Sequence, residues 1–198
     1  MPNNRTVTAQ PARIGLFGGT FDPVHAGHVA VAEEAVGRLA LDEVRFLPCR
    51  QSPHKARSSV ASGPERCEML RLATAALPWA VVDDFELSAA GPSFSVHTAE
   101  EMARRFPGAR LFWLMGSDQW EALPRWQDPQ RLAQLVEFAV FPRGEPARPR
   151  AGFRLHLLNG SHPASASAIR ANPAGASETA WLAPRVANYI KRRGLYAP

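Results

Sequence analysis

Two histidines three residues apart, His25 and His28, stand in the string Gly18-Gly19-Thr20-Phe21-Asp22-Pro23-Val24-His25-Ala26-Gly27-His28. In a first helical turn, side chains at i and i+3 fall on one side. Two imidazoles there can donate hydrogen bonds to phosphate oxygens. A helix start also leaves N–H groups without intrahelical partners and a positive dipole end, which favour an anion. Gly18 and Gly19 let the backbone approach a ligand closely, and Gly27 removes a side chain that would crowd it. The same pair would also suit a solvated helix face or half a metal site. A zinc site asks for further Cys, His or Glu ligands at suitable spacing, and none stands nearby. Neither GxGxxG nor GxxxxGK[ST] occurs.

Other groups with chemistry to offer follow in order. They are Ser52-Pro53-His54-Lys55, Gly91-Pro92-Ser93-Phe94-Ser95 and Gly116-Ser117-Asp118, then Leu123-Pro124-Arg125-Trp126, Arg143 and Ser165-Ala166-Ser167-Ala168-Ile169-Arg170. A carboxylate at a strand end, such as Asp118, can accept hydrogen bonds from sugar hydroxyls; Ser117 or Asp118 would equally serve as a helix N-cap. Trp126 offers a flat ring for stacking or for the core. Trp113, inside an apolar run, reads as core.

These groups need elements to hold them. Arg13–Phe17 reads as a buried strand running into the Gly18-Gly19 turn. A helix is expected from about Gly27 to Ala40, with Val29, Ala32, Ala35, Val36 and Leu39 on one face. Val44–Pro48 predicts a second strand, Pro64–Leu77 a helix and Trp79–Leu87 a third strand. Ser95–Phe106 predicts a helix and Leu111–Met115 a strongly apolar strand. A helix near Asp128–Leu135 precedes a strand at Phe138–Phe141. Pro142–Gly152 reads as a surface loop, Phe153–Leu158 as a strand, and Ser165–Ala171 and Pro184–Arg192 as helices. This alternation predicts an α/β fold whose mainly parallel sheet is covered on both faces. In such sheets ligands bind at the carboxyl ends of strands, where the first motif stands. No internal repeat or splitting linker is visible. Residues 1–12 read as a flexible N-terminal tail and 13–198 as a single domain.

The chain has 198 residues, 45% of them hydrophobic and 21% charged, which fits one soluble globular domain and excludes a disordered tail protein or a disulfide mini-scaffold. The longest apolar run, Leu111–Met115, is far short of the ~20 residues of a membrane span. The start of the chain shows no secretory h-region. Cys49 and Cys67 stand far apart, as reduced thiols of a cytoplasmic protein would. The formal charge is +5, but 21 of the 23 basic residues are arginines scattered along the chain. A basic nucleic-acid-binding module would concentrate them.

The string GGTFDPVHAGH resembles the start of the HxGH nucleotidyltransferase superfamily. HAGH is also similar to a motif of class I aminoacyl-tRNA synthetases, but the chain is too short for one and has no KMSKS-like lysine loop. Together with the later segments, in their order and spacing over about residues 13–196, the chain resembles the bacterial nicotinate mononucleotide adenylyltransferases. The resemblance implies a Rossmann-like three-layer nucleotidyltransferase fold with a small C-terminal helical part. It implies transfer of the adenylyl group of ATP to nicotinate mononucleotide, with Mg²⁺ accompanying ATP and no dedicated metal ligands. Nicotinamide mononucleotide or phosphopantetheine as acceptor remain the alternatives within that chemistry. No nucleic-acid or membrane partner is implied, and homo-oligomerisation stays open.

Residue by residue, the resemblance implies catalytic roles for His25, His28 and Arg170. It implies an ATP site of Gly18, Gly19, Thr20, Phe21, His25, Gly27, His28, Gly116, Asp118, Ser165, Ser167, Ile169 and Arg170. It implies a mononucleotide site of His54, Lys55, Ser95, Trp126 and Arg143, with Trp126 stacking on the pyridine and Ser95 near its carboxylate. Two departures stand out. The family's RPG is Pro142-Arg143-Gly144-Glu145 here, and its ISSTxIR has Ala164, Ala166 and Ser167 at the first, third and fourth places.

Overall fold

The structure is a computed structural model that describes residues 11–53, 59–89 and 91–197. Ile14 to Phe17 are buried on both faces of the first strand, β1 (Arg13–Gly19), as in a strand at the middle of a parallel sheet. The chain leaves β1 through the glycines and a cis Asp22–Pro23 peptide and enters α1 (Ala26–Leu39). That helix buries Gly27, Val31, Ala32, Ala35 and Leu39. Val31 rather than Val29 therefore marks its core face, a rotation of the expected stripe. Next come β2 (Glu43–Pro48) and α2 (Gly63–Thr74). Ser62 and Glu65 start α2 with reciprocal hydrogen bonds, Ser62 N–H to Glu65 Oε2 at 2.9 Å and Glu65 N–H to Ser62 Oγ at 3.4 Å.

The expected strand Trp79–Leu87 is only β3 (Ala80–Val82), followed by the single turn α3 (Phe85–Ser88). Asp83 ends the strand: its carboxylate accepts the Phe85 N–H at 3.1 Å, a turn that competes with further pairing. It is also held by Arg45 at 2.9 Å and Arg105 at 3.2 Å. Then follow α4 (Ser95–Arg105) and β4 (Arg110–Gly116). The helix α5 (Ser117–Ala122), absent from the sequence reading, starts at once and passes through a 3-10 turn at Leu123–Arg125. The chain closes with α6 (Pro129–Leu135), β5 (Val136–Phe141), β6 (Leu155–Leu157), α7 (Ala166–Ala171), α8 (Pro173–Glu178) and α9 (Pro184–Arg193).

Among the described residues, six strands form one all-parallel sheet in the order β3-β2-β1-β4-β5-β6. The α/β class is as expected, and the mainly parallel sheet is wholly so. One apolar layer places Phe17, Phe46 and Phe112 against α1, α2 and the C-terminal helices. The other places Leu16, Leu47 and Trp113 against α4, α5 and α6. Alternate residues of each strand thus feed opposite layers, and the strand order reverses between β1 and β4. Among the described residues, no helix is long and apolar enough to cross a membrane.

Candidate active site

At the carboxyl ends of β1 and β4 the neighbouring strands lie to opposite sides, and a crevice opens. It holds a cavity of about 390 Å³. Gly18, Gly19, Thr20 and Phe21 line it from the end of β1, and His28 from α1. Gly116 and Asp118 line it from β4 and α5, and Arg143 from the loop after β5. Ser95 and Trp126 complete the wall beside Trp113. The structure therefore joins residues from both expected substrate sites in one hollow.

The two histidines are coupled. The His25 backbone N–H donates to His28 Nδ1 at 3.2 Å. A neutral imidazole that accepts at one nitrogen carries its proton on the other. His28 Nε2 is therefore the donor. The rings stack with centroids 3.8 Å apart and an interplanar angle of 30°. Phe21 meets His28 edge-on at 5.0 Å. His28 lines the cavity, whereas His25 lies beneath it, 4% exposed. Burial, then the Arg143 charge and His162, lowers the His25 pKa to about 3. Its Nδ1 has no hydrogen-bond partner among the described residues.

Two expectations about this turn change. The first N–H of α1, that of Ala26, is already used, donating to the Trp181 carbonyl at 2.8 Å. Gly27 makes room for rings of the protein itself: a methyl group there would lie 3.1 Å from the His25 ring and 3.3 Å from His162 Nδ1. His162 is a neighbour that sequence reasoning missed. Its Nδ1 accepts the Ala164 N–H at 3.1 Å, just before α7. Its place three residues before Ser165 was the one available signal.

Arg170 folds back on the first motif, donating to the Asp22 carbonyl at 2.6 Å and to Ser167 Oγ at 3.3 Å. Ser165 caps α7 by accepting the Ala168 N–H at 3.2 Å. Arg170 thus joins α7 to the Asp22 turn, and Ser165, Ser167 and Arg170 do not line the cavity. Ile169 is fully buried in the core, and its N–H donates to the Ser165 carbonyl at 3.0 Å. His54 and Lys55 lie outside the described residues, although Ser52 and Pro53 just before them line the cavity.

Asp118 is exposed at the start of α5. Ser117 Oγ donates to the Arg143 carbonyl and accepts the Arg143 N–H, both at 2.9 Å, which draws the loop after β5 against β4. Arg143 consequently stands over Gly116, where an added methyl group would lie 3.0 Å from its Cδ. Trp126 is half-buried and packs edge-on against Trp113, with centroids 6.4 Å apart. Trp113 belongs to the core, as expected, but its edge also reaches the cavity. Ser95 is the first residue of α4, whose opening N–H groups lack intrahelical partners.

Glu86 in α3 lines the same wall and was not singled out from the sequence. It is 4% exposed, and Thr98 Oγ1 donates to its Oε1 at 2.6 Å. Burial raises its pKa against the hydrogen bonds of Thr98 and Ser93.

The cytidylyltransferase-like family model matches residues 16–172. A probable nicotinate-nucleotide adenylyltransferase of Albidiferax ferrireducens is 39% identical over 194 residues, covering 93% of this chain and 98% of that protein. One from Methylacidiphilum infernorum is 41% identical over 131 residues, covering 66% of this chain and 64% of that protein. The fold is similar to that of Plasmodium falciparum nicotinic acid mononucleotide adenylyltransferase complexed with NaAD. That match has a TM-score of 0.77 at 18% identity and covers 93% of this chain and 97% of that one.

Proposed function

The chain belongs to the cytidylyltransferase-like family and, within it, to the nicotinate-nucleotide adenylyltransferases, and from that premise we propose how its residues carry the reaction. The reaction moves the adenylyl group of ATP to nicotinate mononucleotide and releases pyrophosphate. The observation that supports the roles best is the shared cavity, whose wall carries His28 and Asp118 together with Trp126 and Ser95.

ATP lies along Gly18–Phe21 and Gly116–Asp118, and Asp118 accepts hydrogen bonds from its ribose hydroxyls. The pyridine ring of the mononucleotide stacks on Trp126, with its carboxylate toward the first N–H groups of α4 at Ser95. Arg143, with His54 and Lys55, draws in the mononucleotide phosphate. That phosphate attacks the α-phosphorus in line, the bond to the β-phosphate oxygen breaks, and pyrophosphate departs. The nucleophile is already an anion, so no general base is required. The protein's task is to bring two polyanions together and to stabilise the charge that grows in the transition state.

His28 Nε2–H donates to a phosphate oxygen at the reacting centre. His25 fixes the His28 ring through its own N–H and by stacking beneath it. Arg170 and Ser167 hold the departing pyrophosphate. Mg²⁺ enters as part of the substrate, chelated by ATP phosphates and water.

The test is pyrophosphate release from ATP and Mg²⁺ with each acceptor supplied separately. Release with nicotinate mononucleotide is expected. Release only with nicotinamide mononucleotide or phosphopantetheine would overturn the assignment of the acceptor.

A further inference from the structure

Adenylyl transfer gives Glu86 no task, yet the fold buries its carboxyl in the cavity wall beside Ser93, Phe94 and Ser95. A buried carboxyl is costly unless hydrogen bonds satisfy it. Here the Thr98 hydroxyl donates to Oε1 at 2.6 Å, and the nearby Ser93 hydroxyl favours the charged carboxyl. Ser93 in turn accepts the Arg50 N–H at 3.0 Å through Oγ, and its own N–H donates to the Gln51 carbonyl at 3.0 Å. The carboxyl thus ties α3 to the first turn of α4, while Ser93, just before that turn, is bonded to the loop after β2 that carries Ser52 and Pro53 into the cavity. Thr98 sits one turn above Ser95 and Phe94, so the Thr98–Glu86 bond sets the angle at which α4 presents its first N–H groups.

We propose that Glu86 is a positioning residue for the acceptor: through Thr98 it fixes the start of α4 against the substituent of the acceptor ring. This inference rests on the placement of the mononucleotide at the Trp126 end of the cavity. The ATP end, around Gly18 and Asp118, is built from other elements. The role therefore separates the two substrates, which a general contribution to stability would not do.

The experiment compares wild type, Glu86→Ala, Glu86→Gln and Thr98→Val, varying nicotinate mononucleotide and ATP separately. Glu86→Ala is expected to raise KM for the mononucleotide roughly tenfold or more, the scale of a buried partner left unpaired, and to leave KM for ATP within about twofold. Glu86→Gln keeps an acceptor oxygen for Thr98 and is expected to recover most of the loss. Thr98→Val is expected to reproduce it. An unchanged mononucleotide KM in Glu86→Ala, an equal loss for both substrates, or a Gln variant as impaired as the Ala variant overturns the role. Should Glu86→Ala fail to fold, Glu86→Gln and Thr98→Val decide between the same outcomes. A wild-type chain that makes no dinucleotide from nicotinate mononucleotide overturns the function and this role with it. An active wild type with an indifferent Glu86→Ala overturns the role alone.

Discussion

The Tyr196 hydroxyl donates to Asp22 Oδ1 at 2.6 Å, joining residues 174 positions apart. Asp22 is 5% exposed and also accepts the backbone N–H groups of Val60 at 2.8 Å and Ala61 at 3.1 Å. Its own carbonyl accepts from Arg170. The end of the chain, the approach to α2 and the first motif therefore converge on one residue three positions before His25. Burial and the Asp22 carboxylate hold the Tyr196 phenol above its ordinary pKa, so it remains a donor.

Removing that hydroxyl should be felt as lost stability. A hydrogen bond to a charged group contributes about 1.5–3 kcal/mol. Tyr196→Phe keeps the ring packing and is expected to lose about 2 kcal/mol, read as a lower urea midpoint with an unchanged slope. An unmoved midpoint would mean that the two backbone donors alone satisfy Asp22.

His28→Ala is expected to lower kcat by about 10² to 10³, the scale seen when one donor to a developing oxyanion is removed. ATP binding should survive in part, because Gly18–Phe21 and Asp118 remain. Single-turnover rates with equilibrium ATP titration separate the two effects. Near wild-type turnover would remove His28 from the chemistry.

What could be read from the sequence is what depends on nearby residues. The run Arg13–Phe17, the glycines after it and the i, i+3 pair of histidines are local patterns, and β1 and α1 follow them. What could not be read depends on distant partners. The strand expected through Leu87 stops at Asp83, because that carboxylate is claimed by Arg45, Arg105 and the Phe85 N–H. The rotation of α1 that buries Val31 is set by packing on the sheet. Helix α5 forms where no long apolar period announces it; Trp120 is buried and its indole donates to the Arg148 carbonyl at 2.9 Å. His162 and Glu86 reach the site only through the fold.

Trp126→Ala should act on the acceptor. Stacking of a base on an aromatic side chain is worth about 1–3 kcal/mol, which corresponds to a rise in mononucleotide KM of roughly 5- to 150-fold. Trp126→Phe should retain part of the affinity. Trp113 backs the ring edge-on and is otherwise held by the core, so the surrounding wall should persist. A change confined to KM for ATP would show that Trp126 serves the other substrate.

The buried His25 should make stability depend on acid. Its folded pKa is lowered to about 3, while the unfolded chain titrates near the ordinary 6.5. Between those values the unfolded chain binds a proton that the folded chain refuses. Stability therefore falls as pH drops through this window, by up to about 1.4 kcal/mol per pH unit from this one group, and the His25 contribution fades as pH rises past 6.5. His25→Asn has no ring to titrate. Between pH 7 and pH 5, wild type should lose about 2 kcal/mol more than His25→Asn, with the carboxylates common to both chains cancelling in the comparison. Urea denaturation at the two pH values measures this directly. Equal losses would mean that the ring accepts its proton in the folded chain, and His28 would then rest on a charged neighbour rather than a neutral one.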